Sequence, residues 1–579
     1  MSDASAWQIC SAARSVALIS GAFCAMVAAL LAWQTYGGRS VDPWDSPEFQ
    51  QLQAELRRNP GDQELRQRIR DLDLRLRREF FRQRTFRRRG GWLLAGGAAV
   101  LLISAHLATS GHGPKAPDGT GDPQRREQTS RLAGRWSVAA VAVGLAAGGT
   151  VWGLLSGDPL AQPRADDEPI IAQEPADSGP TDRRAILANW PRFRGPEGLG
   201  IARGEGFPEH WDGRERENVL WKSEPVPLEG QSSPTVWGDK VFVTGADADT
   251  RELYCYHAET GELLWRHEVD NIPGVRPGVP EVMDDTGFAA PSAATDGRYV
   301  VAMFANGDVV CTDTEGNRIW ARNLGEPVNT YGHASSPIIH RDVVIIQFDQ
   351  GSDPDDMLSE LYAIELESGT VRYLETRPVV NSWSTPLVAD TPSGLQLITT
   401  SSPWVIAYDP ADGSEIWRAD CLSGDVGPSP AYSDGKAYTV TAYSQLSAIR
   451  TDGEGDVTDT HIEWVAYDAL PDISSPLATE DRVWIVQTYG LMTCLDAETG
   501  KMIYEHDFAE TVRNSPTLVG DEVHVMTAEG VTHRFSASGD EYRELGTCRL
   551  GEPSNCSPAY VDGRIYIRGQ QHLWCIGQE

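Results

Sequence analysis

Short apolar runs separated by polar turns dominate the chain from about residue 189 onward, and one stretch shows the pattern in full. Between Asp472 and Tyr504, Ser475-Pro476 opens a strand and Glu480-Asp481 turns it into the run Val483 to Val486. Tyr489-Gly490 then turns into Leu491 to Leu495, and Ala497-Glu498-Thr499-Gly500 leads to a last strand with Ile503 and Tyr504. Acidic and glycine turns between β-prone runs are hairpin signals, and proline is tolerated where a ladder has barely begun. The pattern predicts four short antiparallel strands in 33 residues.

The same unit recurs. A small residue next to proline returns at Pro234, Pro291, Pro337, Pro386, Pro430, Pro476, Pro516 and Pro558, spaced by 40 to 57 residues. An aromatic series runs in phase with it: Trp221, Trp265, Trp320, Tyr373, Trp417, Trp464, Tyr504 and Tyr542, each in the last strand of a unit. Eight repeats of four short strands predict an all-β, eight-bladed β-propeller, whose circular closure protects its strand edges. The last unit, ending at Cys575 to Glu579, lacks a final aromatic strand, whereas Val219-Leu220-Trp221 is a final strand with no unit before it. The first strand is therefore expected to complete the last blade. One aromatic per blade at a fixed phase predicts that the series docks blade on blade rather than forming a ligand platform.

The pattern before residue 157 is different. Residues 15–33, 91–109 and 136–155 are apolar enough to cross a bilayer, which predicts an α-helical membrane region over 1–156. Between the first two, Leu65, Ile69, Leu72 and Leu76 form a narrow apolar seam in an arginine-rich segment. Residues 46–89 thus read as an amphipathic helical hairpin, open to a dimer contact or to a place near lipid headgroups. Residues 157–188, rich in Pro, Ala and Asp, read as a flexible tether, and 189–579 as the propeller.

Charge divides the chain at the same place. Residues 1–165 carry 21 basic and 14 acidic side chains, and the remainder 29 and 69. An acidic excess of this size argues against a nucleic-acid partner, because phosphate binding needs a basic face. It suits a soluble, self-repelling surface and basic or metal-ion partners. Four of the nine cysteines, Cys255, Cys311, Cys494 and Cys575, share the third-strand position of their units, where small buried side chains are expected. Cys548 and Cys556 are the one close pair in the C-terminal part, and a disulfide between them is left open by the spacing.

Ala258-Glu-Thr-Gly-Glu-Leu-Leu-Trp265, Asp409-Pro-Ala-Asp-Gly-Ser-Glu-Ile-Trp417 and Asp496-Ala-Glu-Thr-Gly-Lys501 resemble the PQQ-like repeat. That repeat is shared by BamB-type assembly factors and quinoprotein dehydrogenases. The second group implies PQQ with calcium, a vicinal cysteine disulfide and an aspartate base. No Cys-Cys pair and no C-x-x-C-H haem site occur in this sequence. The expected function is therefore a membrane-anchored interaction or ligand-binding scaffold, non-enzymatic and without cofactor. A PQQ- and calcium-dependent dehydrogenase is the alternative.

Orientation signals compete. Fourteen arginines between residues 34 and 90 favour the cytoplasm, while the step from Arg125, Arg126, Arg131 and Arg135 to Asp158, Asp166, Asp167 and Glu168 favours outward exit of the third run. That step, with the family resemblance, places the expected protein in the inner membrane with the propeller on the periplasmic side. If a ligand binds, loops entering the first strands are the natural place. His333, Trp383, Asp425, Asp472, Arg513 and Asn555 each precede the repeat proline by three to five residues and are expected on one channel rim. The acidic insertion 349–360 lacks EF-hand spacing and reads as a solvated loop, so no metal site is expected.

Overall fold

The computed structural model describes residues 183–273, 279–280, 282–283, 286–329 and 331–578, together with Ser20. The three apolar runs and the 46–89 hairpin lie outside the described residues, apart from Ser20. Among the described residues no helix is long and apolar enough to cross a membrane.

Eight sheets, each built on four antiparallel strands, form the eight blades of a propeller. Blades 1 to 7 span 235–268, 294–323, 338–377, 387–420, 431–466, 477–507 and 517–549. Blade 8 has three strands from the C-terminus, Ala559–Val561, Arg564–Arg568 and Leu573–Ile576, and takes its outer strand, Val219–Lys222, from the start of the ring. The register pairs Val219 with Ile576 and Trp221 with Cys575. The closure expected from the two incomplete ends of the repeat is thus present. In blade 6 the strands are Leu477–Ala478, Arg482–Val486, Leu491–Asp496 and Met502–Asp507, matching the four runs read from the sequence.

The repeat proline marks a second closure that the proline itself does not make. In each blade the residue at one fixed position carries a hydroxyl, which accepts from the backbone N–H of the same position in the preceding blade. Ser233 N–H donates to Ser292 Oγ at 2.8 Å, Ser292 to Ser336 at 3.0 Å and Ser336 to Thr385 Oγ1 at 3.0 Å. Thr385 donates to Ser429 at 2.9 Å, Ser429 to Ser475 at 3.0 Å and Ser475 to Ser515 at 3.1 Å. Ser515 donates to Ser557 at 3.1 Å, and Ser557 returns to Ser233 at 3.0 Å. The eight bonds close a circle around the channel. Blade 2 shows which residue matters: its proline, Pro291, precedes Ser292, one place out of step with the others, while the hydroxyl keeps register. A buried N–H left unpaired would cost about 1–3 kcal/mol, so each link satisfies a donor that the inter-blade turn would otherwise orphan.

The outer aromatics reach the next blade at several seams. Trp221 Nε1 donates to Ala258 O, Trp265 to Thr314 O, Trp320 to Leu366 O and Trp464 to Ala497 O, at 2.8 to 3.0 Å. Tyr373 Oη donates to Pro410 O at 3.3 Å. Each of these rings fills the space over a glycine of the neighbouring turn. A Cβ at Gly261 would stand 2.5 Å from Trp221, and one at Gly500 2.4 Å from Trp464. The Thr-Gly of the repeat is thus set by its neighbour's indole as well as by the turn. Trp417 instead turns into its own blade, donating to Gln396 Oε1 at 2.9 Å. Tyr504 accepts from Trp484 Nε1 at 3.2 Å, and Tyr542 stacks on His506 of blade 6 at 3.6 Å. The third-strand cysteines Cys255, Cys311, Cys494 and Cys575 are buried free thiols, and so are Cys548 and Cys556.

Candidate functional site: the two ends of the channel

Successive antiparallel strands sort the connections onto two faces. Turns joining first to second and third to fourth strands share one face. Turns joining second to third strands, and the loops between blades, share the other, here called the mouth.

The first face is sealed by the chain itself. The helix Arg183–Leu187 leads into a segment that runs along the inner strands. Trp190 exchanges backbone hydrogen bonds with Val236 of blade 1, at 3.0 and 2.8 Å, and Pro191 O accepts from Thr295 of blade 2. Ile201–Ala202 then pairs in parallel with the inner strand of blade 7. Trp190 is buried, tilted against Tyr560 of blade 8 at 5.8 Å. Gly195, at φ 85°, lies under its indole so closely that a Cβ would come within 2.9 Å. Two arginines are buried in this plug. Arg194 Nη2 donates to Leu199 O and Pro476 O, and burial pulls its guanidinium down to about 9. Arg192 is drawn down to about 10 by burial, against the opposing pull of Glu197. Nothing in the apolar periodicity announces this plug. Its available signal is Trp190-Pro-Arg-Phe-Arg-Gly-Pro-Glu-Gly-Leu-Gly200, where Gly195, Gly198 and Gly200 all adopt positive φ.

At the mouth the six rim residues separate into three settings. Trp383, Asp425 and Asp472 are joined through neighbouring loops. Trp383 Nε1 donates to Gly332 O at 2.9 Å, and its backbone N–H donates to Val426 O at 2.9 Å. Tyr331, which the repeat reading did not select, packs on Trp383 at 4.8 Å and donates its hydroxyl to Asp425 Oδ2 at 3.0 Å. Asp472 accepts from Thr488 Oγ1, and its backbone carbonyl lies against Gly427. Arg513 and Asn555 lie apart from these, lining a cavity of about 420 Å³ with Glu229, Gln231, Glu529 and Cys556 at the junction of blades 7, 8 and 1. Burial pushes the Cys556 thiol up to about 11, so it is protonated at neutral pH.

His333 lies beneath the rim, fully buried against Phe348, and burial lowers its imidazole to about 4. Close by, Asp349 forms a completely buried ion pair with Arg377 and accepts from Ser382 Oγ and Gln347 Nε2. The first acid of the 349–360 insertion is therefore a core residue rather than part of a solvated loop. Asp353, in contrast, caps a short 3-10 turn and is exposed.

Among the described residues no three His, Cys, Asp or Glu side chains stand together in a way that could hold a metal ion. Asp425 accepts from Tyr331 and Asp472 from Thr488.

A family model described as outer membrane protein assembly factor BamB matches residues 213–372, 383–472 and 464–570, together more than half of the chain. A search of curated proteins finds no match. Among solved structures, the chain is similar to BamB from Moraxella catarrhalis, at 16% identity over 62% of this chain and 98% of that one, with a TM-score of 0.44. It is also similar to the quinohemoprotein alcohol dehydrogenase from Comamonas testosteroni, at 12% identity over 69% and 82%, with a TM-score of 0.47. The computationally designed Ika8 protein aligns at 12% identity over 62% and 99%, with a TM-score of 0.45. The chain belongs to the PQQ-repeat family that the BamB model describes.

Proposed function

We propose that this chain is a membrane-anchored, non-enzymatic scaffold whose propeller offers its mouth to protein partners. The observation that carries the reading is the asymmetry of the channel: one end is filled by residues 190–202, and the other is a rigid rim of inter-blade loops. A ring closed by a shared blade and by eight hydroxyl links holds those loops in fixed relation. Rigid presentation lowers the ordering cost of association. The family's description as an assembly factor agrees with a protein ligand.

In this reading the apolar runs 15–33, 91–109 and 136–155 fix the chain in the inner membrane, the part of the expected tether before the helix Arg183–Leu187, residues 157–182, gives reach, and the propeller lies on the periplasmic side. Affinity capture of the full-length protein from detergent-solubilised membranes tests the scaffold role. A specific protein partner is expected, and its absence beside a stable small-molecule complex would remove the reading. Protease accessibility in intact and permeabilised cells tests the compartment. Cleavage of the propeller only after the inner membrane is breached would place it in the cytoplasm instead.

A further inference from the structure

Both halves of the mouth are acidic, and they differ in whether their connections also carry cations. Blades 3 to 6 contribute the connections 324–337, 349–358, 378–386, 401–403, 421–430, 441–445, 467–476 and 487–490. These 65 residues contain eight Asp or Glu and no Lys or Arg. Asp349 is buried in its pair with Arg377, while Glu326, Asp353, Asp355, Asp356 and Asp468 are exposed. The same half carries Tyr467 and Tyr489, the two aromatic side chains among the exposed large hydrophobic residues of the described chain. Val328 and Ile473 of the same half are exposed as well. The opposite half is acidic too, with Glu229 and Glu529 lining its cavity, but there Arg513 stands among them.

Within the blade 3–6 half, three inter-blade loops are locked into one notch. Tyr331 and Trp383 pack at 4.8 Å with planes inclined by 43°, and Tyr331 holds Asp425 Oδ2 at 3.0 Å. Gly424, beside Asp425, supports Tyr443 so closely that a Cβ there would lie 2.8 Å from the tyrosine. Half-buried aromatic faces next to a carboxylate select a particular cation. Guanidinium is planar and weakly hydrated, stacks on aromatic rings and meets carboxylates through two N–H groups, whereas a lysine ammonium is a strongly hydrated point charge.

We propose that the blade 3–6 half of the mouth is a docking surface for an arginine-rich segment of a partner protein, with an arginine seated in the Tyr331–Trp383–Asp425 notch. The proposal rests on the scaffold reading and names the chemistry of its partner. Exposed acids around the notch steer the segment in, and the notch discriminates arginine from lysine.

The test is fluorescence anisotropy on the full-length protein in detergent, titrated against labelled hexa-arginine amide, hexa-lysine amide and hexa-citrulline amide. The arginine peptide is expected to bind several-fold tighter than the lysine peptide, with the citrulline peptide not binding. Asp425→Asn, which keeps the side-chain shape, and Trp383→Leu should each weaken the arginine peptide by about tenfold. A Glu224→Gln/Asp249→Asn variant on the other half should leave it unchanged. Equal binding of arginine and lysine peptides, or no effect of Asp425→Asn, would reduce the interaction to diffuse surface charge and overturn the notch. A membrane partner captured equally by wild type and Asp425→Asn would also overturn the notch while sustaining the scaffold. Failure to capture any partner, with peptide selectivity intact, would sink the scaffold reading and leave the arginine site standing.

Discussion

The two ends of the channel are built from the same eight inner strands, yet they satisfy their polar groups in opposite ways. At the plugged end the chain supplies its own partners: Trp190 completes the edge of blade 1, Ile201–Ala202 that of blade 7, and Arg194 donates to carbonyls of its own loop and of blade 6. At the mouth, Tyr331, Trp383 and Asp425 bind one another but remain half-exposed, among connections that carry exposed acids and no Lys or Arg. An end whose chain is tied by backbone bonds and buried packing into the inner strands contributes stability. An end that holds its donors and acceptors in fixed positions near solvent is equipped to bind.

That contrast can be broken most severely at Trp190. Trp190→Ala removes a buried indole packed against Tyr560 and Gly195, and is expected to cost about 3–5 kcal/mol. Urea unfolding of the full-length protein, followed by fluorescence, would register it as a lower midpoint.

The next effect lies under the mouth. His333 is neutral in the folded state because burial holds its pKa near 4, below the ordinary 6.5. A depressed histidine pKa gives stability that is present in full above pH 6.5. It is lost as pH falls from 6.5 towards 4, by roughly 3 kcal/mol at about 1.4 kcal/mol per pH unit. His333→Phe should flatten the pH dependence of unfolding in this window, and an unchanged slope would show that the imidazole is hydrated in the folded protein.

Ser292→Ala opens one link of the hydroxyl circle and strands the N–H of Ser233. A loss of about 1 kcal/mol is expected, whereas replacing the neighbouring Pro291 by alanine should matter less, because the hydroxyl and not the proline makes the bond. Smallest of all, Asp425→Asn should move the unfolding midpoint by no more than about 0.5 kcal/mol, typical of a surface change, while weakening the arginine peptide. Large destabilisation by this substitution would place the mouth in the same structural class as the plug and erase the contrast.

The sequence-to-structure path was open where periodicity carried the signal. Strand runs, turn glycines and the two incomplete ends of the repeat were enough to read eight blades and their closure through Val219–Lys222. The hydroxyl circle is half-legible: the repeat proline marks its place, but the bonded atom belongs to the serine or threonine beside it, as blade 2 makes plain. The plug was not legible, because its two-residue strand and its carbonyl-bonded arginines leave no period, only three glycines whose positive φ is invisible without coordinates. The rim was legible as a place but not as a geometry. Offsets from a proline do not distinguish His333, which turns inward, from Asp425, which meets a tyrosine sent from two inter-blade loops back.

Hydrogen–deuterium exchange of the full-length protein with and without hexa-arginine amide tests the central claim most directly. The account predicts slowed exchange in 324–337, 378–386, 421–430 and 467–476, with 189–202 unchanged. Protection confined to the plug segment, or spread evenly over the outer strands of all eight blades, would contradict it.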